Sequence, residues 1–150
     1  MRARFEQCLR QAVLSKDSVT ASTLRLIIAA LKDRDIAARA KGRPDGIDDD
    51  EILAMLQTMI KQRKESIALY LQGNRQELAA AEQAEIAVIQ GFLPEPLSEA
   101  ESAGAIAAAI AELDASGLKD MGRVMALLRE RHAGRMDFNQ ASGQVRALLS

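Results

Sequence analysis

The sequence predicts an all-α protein in two lobes: an N-terminal bundle or set of hairpins built from long helices, then a small three-helix C-terminal lobe. Three observations predict it. Ala, Leu, Glu, Gln and Arg dominate, all strong helix formers. Aromatic residues are only 3%, with no Trp, too few for the β-branched and aromatic faces of a sheet protein. Apolar residues recur at helical spacing from end to end, interrupted by Phe92-Leu93-Pro94-Glu95-Pro96-Leu97. Proline confines the residue before it to extended conformations, so this segment reads as a short, stiff link. The expected division is residues 1–93, a link at 94–97, and residues 98–150.

The elements follow in order. A first helix is expected over Arg2 to Ser15, with Phe5, Cys8, Leu9 and Ala12 on one face, either packed on the first lobe or mobile. A second starts near Asp17-Ser18 and runs to about Lys41, with Leu24, Ile27, Ile28 and Leu31 as its apolar stripe. Gly42-Arg43-Pro44-Asp45-Gly46 ends it, because Pro and Gly disfavour helix interiors. Asp48 and Glu51 have the spacing of a capping box, opening a third helix whose inward residues are Ile52, Met55, Leu56, Met59 and Ile60, then Ile67, Tyr70 and Leu71. Gly73-Asn74 separates it from a fourth, expected to be capped by Asn74 with Glu77, and to bury Leu78, Ala81, Ile86, Ile89 and Leu93.

After the link, Ser98 with Glu101 repeats the capping box and opens an Ala-rich fifth helix ending near Ser116-Gly117. Asp120 is expected to cap a sixth, with Met121, Val124, Met125 and Leu128 inward and Gly134 beyond its end. Asp137, with Gln140 as reciprocal partner, caps a seventh burying Phe138, Ala141, Val145 and Leu148.

Composition bounds the function. The chain has 150 residues, 48% hydrophobic and 27% charged, an ordinary globular balance. A formal net charge of −1 speaks against a generic polyanion binder, but it conceals a pattern. Residues 1–73 carry +3, residues 74–116 carry −7, and residues 117–150 carry +3. With one Cys and one His there is no internal disulfide and no plausible zinc set. Cys8 reads as a small core residue. The start lacks a charged-then-apolar leader, and runs such as Leu26 to Leu31 fall far short of the ~20 residues that span a bilayer. A soluble cytoplasmic protein is expected, with no membrane partner, metal or cofactor.

No residue set assembles catalysis. A serine nucleophile needs a base and an orienter, and the one imidazole, His132, follows Arg131 near a helix end, where positive charge suits the free carbonyls. There is no P-loop and no GxGxxG. Asp48-Asp49-Asp50-Glu51 could be read as a cation site, but the helix dipole accounts for acids at an N-terminus. Glu82 and Glu85 read as solvated surface.

Three segments could bind. In Lys61-Gln62-Arg63-Lys64-Glu65-Ser66, Lys61 and Lys64 share a face; the segment is either a solvated face with Lys61–Glu65 pairing or a phosphate contact. In Gly117-Leu118-Lys119-Asp120-Met121-Gly122-Arg123-Val124-Met125, Gly122 falls in the first helical turn, open to a packed helix or to a nucleic-acid backbone. First-turn N–H groups attract anions, an effect Asp120 opposes. Gly134-Arg135-Met136-Asp137 places an Arg at a tight turn. Arg123, Arg129, Arg131 and Arg135 make this region basic, able to position RNA phosphates without reading sequence.

These segments, in this order and spacing, resemble the GatB/YqeY family, and more closely its stand-alone YqeY-like members. The similar residues are Lys61 to Ser66, Phe92 to Ser98, Lys119 to Met125 and the Gly134-Arg135 turn, so the resemblance covers essentially the whole chain. The family turn usually has Ala after Gly-Arg/Lys, and often Gly after the Asp; here Met136 and Phe138 stand at those places. The resemblance implies relation to the tail of the B subunit of glutamine-dependent aspartyl/glutamyl-tRNA amidotransferase. There the tail holds the tRNA body while the amidation chemistry proceeds elsewhere.

The expected function is therefore a tRNA-associated helical module without catalytic residues of its own, linked by family to carbon–nitrogen ligation with glutamine as nitrogen donor. Lys119, Arg123 and Arg135 are the expected tRNA-backbone contacts, with Gly122 and Gly134 allowing close approach and Lys61, Arg63 and Lys64 as a second patch. Binding should be weak and salt-sensitive. The rivals are a protein-interaction module, docking amidotransferase or other subunits, and a stand-alone amidase or ligase.

Overall fold

Seven α-helices account for most of residues 1–150, all of which the computed structural model describes: α1 (Arg2–Leu14), α2 (Ser18–Ala40), α3 (Asp49–Gln72), α4 (Gln76–Gln90), α5 (Glu99–Glu112), α6 (Met121–His132) and α7 (Phe138–Leu149). A 3-10 turn, Leu118–Asp120, leads into α6. The chain divides into two compact units, Met1–Leu93 and Pro94–Ser150.

In the first unit α3 and α4 form one packed pair and α1 and α2 another, and α2 joins them by packing on both α3 and α4. Phe5, Leu24, Ile27, Ile52, Met55, Leu56 and Ile89 are fully buried. Cys8 and Leu9 pack against this core from its edge. α1 is therefore an integral part of the unit. Its Phe5 ring meets Phe92 edge-on at 5.0 Å, the offset geometry favoured by aromatic quadrupoles. Arg4 lies over the other ring at 4.8 Å and donates to Gly91 O at 3.1 Å.

One buried polar group binds this unit together. Asp35 lies on the core side of α2, 7% exposed. It accepts from Arg2 Nη2 at 2.6 Å, from Arg2 Nε at 3.2 Å and from Ile47 N at 2.9 Å. Arg2 also donates to Ile47 O at 2.8 Å. One carboxylate thus ties the start of α1, the last turns of α2 and the chain entering α3. The Arg2 guanidinium holds the Asp35 carboxyl below the usual carboxylate range; burial opposes this and the Ile47 N–H assists it. The turn makes room for it: Gly46 has φ +81°, and a Cβ there would collide with Asp35 Oδ1.

Two of the expected capping boxes are formed, at the starts of α3 and α5. Asp48 accepts from Glu51 N at 2.8 Å, and Ser98 accepts from Glu101 N at 3.1 Å, each with the reciprocal bond from the glutamate side chain. The Asp48 to Glu51 acids serve this helix start, and Glu51 is further held by both Arg43 Nη groups.

Other local expectations are corrected. Asn74 does not cap α4. It adopts φ +56° to end α3, and Arg75 takes the cap position without a side-chain cap bond. α5 stops at Glu112, where Asp114 at φ +49° turns the chain before Ser116. Asp137 accepts from both Asn139 N and Gln140 N, a cap without the reciprocal Gln140 arm. Leu71 is 56% exposed and Leu148 63% exposed, whereas Leu149 is buried. Ala79, not Ala81, is the buried alanine of α4.

In the second unit, each of α5, α6 and α7 packs on the other two. Their core is Ile106, Ala109, Val124, Met125, Leu128, Met136, Ala141, Val145 and Leu149.

Gly42 and Gly46 separate two costs, because both have positive φ but only Gly46 is crowded. Gly42→Ala should destabilise the first unit by about 1 kcal/mol, from backbone conformation alone. Gly46→Ala should cost about 2–4 kcal/mol, because it also displaces Asp35. Urea melts followed by a probe inside residues 1–93 give both values; equal losses would exclude the steric contribution.

Candidate nucleic-acid interface

The second unit carries five of the expected contact residues. Lys119 sits in the 3-10 turn, exposed. Arg123, one turn into α6, has a side chain 57% exposed and donates Nη2 to Asp120 Oδ1 at 2.7 Å. Gly122 is exposed beside it, with nothing within 4 Å of where its Cβ would be. No helix packs on Gly122, so this first turn presents bare backbone between Lys119 and Arg123.

Asp120 does not cap α6 with its side chain. Its carboxylate turns back, and Oδ2 accepts from Ser116 N at 3.0 Å. That closes the α5–α6 connection and removes the carboxylate from the first free N–H groups of α6. The Ser116 N–H and then Arg123 hold the Asp120 carboxyl below its usual range, against burial.

Arg135 has a different task. Its Nε donates to Glu95 O at 2.8 Å, and its own carbonyl accepts from Leu97 N at 2.8 Å. The turn between α6 and α7 thereby holds the proline link against its own unit. Gly134, buried at φ +76°, makes that turn possible; a side chain there would be strained. The two bulky departures from the family turn have separate places. Met136 is 3% exposed in the core, while Phe138 lies half-buried with the Arg129 guanidinium 5.7 Å from its ring centre. Neither occupies the space over Gly122.

The remaining expected contacts lie on α3. Lys61 and Lys64 are exposed. Arg63 is drawn inward, its side chain 13% exposed, with Nε 2.8 Å from Glu85 and 3.9 Å from Glu82. Glu82 and Glu85 are thus not a solvated surface pair; they hold α4 to α3 through Arg63, which leaves that cation neutralised. The ion pairs of this stretch belong to Arg63 and do not include the Lys61–Glu65 pair that the spacing suggested.

Charge is balanced differently from the segment totals. Residues 94–150 contain eight carboxylates and six Lys or Arg, a net of −2. Arg131 is spent on Glu112 through bonds of 2.6 and 2.7 Å. The +3 of residues 117–150 omits the acids of α5, which belong to the same lobe. His132 is half-buried, with Nδ1 enclosed and lacking a hydrogen-bond partner. A groove of about 180 Å³ beside Leu97, Arg135 and Gln140 is smaller than the roughly 300 Å³ at which small-molecule pockets begin.

These features define a class: a two-unit helical module whose second unit displays an open, cation-flanked helix start. The chain belongs to the YqeY-like protein family, whose model matches residues 2–149. Similar proteins bear the name "Altered inheritance of mitochondria protein 41, mitochondrial". That of Vanderwaltozyma polyspora is 34% identical over 85 residues, covering 57% of this chain and 44% of the relative. That of Lachancea thermotolerans is 30% identical over 116 residues, covering 76% and 60%. That of Eremothecium gossypii is 29% identical over 151 residues, covering 99% and 80%. The chain thus spans less than two thirds of the first two relatives. No helix is long and apolar enough to cross a membrane.

The shared Asp120 carboxylate gives a titration test. A depressed folded-state value means its contribution to stability is complete above the ordinary Asp range and is lost as pH falls through that lower value. Carbon-detected NMR should place the Asp120 midpoint below that of free Asp. Arg123→Ala should raise it only part of the way back, because Ser116 N still donates. A midpoint unmoved by Arg123→Ala would contradict the pairing.

Proposed function

We propose that this chain is a tRNA-associated helical module that holds RNA and leaves chemistry to a partner. The observation that carries the reading is the Lys119–Gly122–Arg123 surface. A lysine without an ion pair and a largely exposed arginine flank backbone that no side chain covers. Phosphate can approach such a surface closely, and cations there position a backbone without reading bases. Family membership supports it through the resemblance to the B-subunit tail of tRNA amidotransferase. The link to carbon–nitrogen ligation, with glutamine as nitrogen donor, enters by that relation, and an amidotransferase subunit is the implied protein partner. Lys61 and Lys64 form the second patch. Arg63, already paired, and Arg135, whose Nε holds Glu95 O, contribute less than their charge suggests.

The proposal includes a reducing compartment, because the one cysteine forms no internal bridge. The cytoplasm is the expected home, and the relatives' mitochondrial name makes the mitochondrion its competitor. A second reading, an adaptor for protein partners, is favoured by the net −2 of the second unit, which weakens any long-range pull on RNA.

Labelled tRNA titrated at several salt concentrations tests the first reading. Affinity should fall steeply with salt. Lys119→Ala with Arg123→Ala should reduce the slope of log affinity against log salt by about 1–2, as expected for two lost phosphate contacts. No binding at low salt, or a slope unchanged by the double substitution, refutes it.

A further inference from the structure

Most arginines of the first unit are engaged inside it: Arg2 with Asp35, Arg4 with Phe92 and Gly91, Arg43 with Glu51, Arg63 with Glu85, Arg75 with Glu77. The outer side of α2 differs. Arg25, Lys32 and Arg39 are all exposed and form no salt bridge; Arg39 donates Nε to Pro44 O at 3.2 Å, and its charge also acts on the Asp35 carboxylate. They stand seven residues apart. Seven residues are close to two helical turns, so the three form a line with about 10 Å between neighbours.

Apolar residues accompany this line. Ala29 and Ile36 follow Arg25 and Lys32 by four residues, and Leu26 and Val19 continue the strip alongside. Ile36 is 53% exposed, Leu26 47% and Val19 46%. None of this serves the unit's own core, which takes Leu24, Ile27, Leu31 and Ala38 from the opposite side of the helix. Asp33 is the lone acid on the outer strip. A solvated helix face has no need of exposed branched side chains. The spacing of four and three residues keeps the basic and apolar positions side by side along the helix, as charged residues border the apolar seam between paired helices.

We propose that the outer face of α2 docks an amphipathic helix of a protein partner, whose apolar residues cover Leu26, Ala29 and Ile36 and whose carboxylates meet Arg25, Lys32 and Arg39. Charge complementarity selects the occupant: one border of the strip is an exposed cationic line without salt bridges, and opposite charge there sets orientation and suppresses basic helices. A nucleic-acid backbone would use the cations but gain nothing from Leu26 and Ile36. The surface is independent of the Lys119–Arg123 site and stands or falls without it.

The test uses the full chain and fluorescent helical peptides of about 20 residues with a leucine strip bordered by glutamates. Controls replace the glutamates with lysines, or the leucines with serines. Anisotropy should show the acidic peptide binding about tenfold or more tightly than the lysine version. The triple reversal Arg25→Glu, Lys32→Glu, Arg39→Glu should invert that preference. Leu26→Ser with Ile36→Ser, which leaves charge untouched, should weaken the acidic peptide about fivefold or more. All five positions are exposed, so circular dichroism should be unchanged in both variants. Equal binding of acidic and basic peptides overturns the proposal. So does undiminished binding of the serine peptide, which would mean charge adsorption alone. Failure of the acidic peptide to bind also overturns it, whether the triple reversal then abolishes binding to tRNA or to phosphatidylserine vesicles, or dissolves a dimer seen by sedimentation.

Discussion

Asp35 is the constraint on which the first unit depends. A carboxylate on the core side of α2 is costly unless it is paired and hydrogen-bonded. Here two groups satisfy it through three bonds, two from the Arg2 guanidinium and one from the Ile47 N–H. The consequences spread outward. Arg2 fixes the first turn of α1, α1 brings Phe5 against Phe92, and Arg4 closes over the same ring. The last residues before the proline link are therefore held by the first residues of the chain. On the other side, Ile47 and Gly46 set the entry to α3, whose start is then secured by the Asp48–Glu51 box and Arg43.

The same logic of internal pairing decides what remains for function. Counted as letters, the basic residues look interchangeable. In three dimensions Arg63 belongs to Glu85, Arg131 to Glu112, and Arg135 to the backbone of the link. Among those left to solvent are Lys119 with most of Arg123 in the second unit, Lys61 and Lys64 on α3, and the line on α2. A module with discrete cationic surfaces and a net charge near zero suits docking of defined partners better than coating of a polyanion.

Much of the fold was legible because its signals are local. Helical periodicity, two capping boxes and the double proline each depend on residues within one or two turns, and the inward stripe Ile52, Met55, Leu56, Met59 and Ile60 is buried as read. Misreadings gather where a tertiary partner overrides a local preference. Asn74 has the right spacing to cap α4 but serves the turn in a left-handed conformation. Asp120 precedes α6 yet is claimed by Ser116 N and Arg123. Leu148 and Leu149 are equivalent to periodicity until the packing of α7 chooses between them. Asp35 was detectable: it falls four residues after Leu31 and three before Ala38, a carboxylate in the middle of an apolar stripe. Its partners were not, since Arg2 and Ile47 lie far from it in sequence. The candidate site was legible as segments, but which of its cations were free depended on distant carboxylates such as Glu85.

Native-state hydrogen exchange on the Asp35→Ala variant tests this account most directly. If Asp35 is the tie described, amides of α1 from Phe5 to Ala12 and the Ile47 amide should lose protection together. Those of α6 and α7, in the other unit, should exchange as in the unaltered chain. Unchanged protection across α1 and at Ile47 would contradict it, and would mean that apolar packing alone seats the first helix.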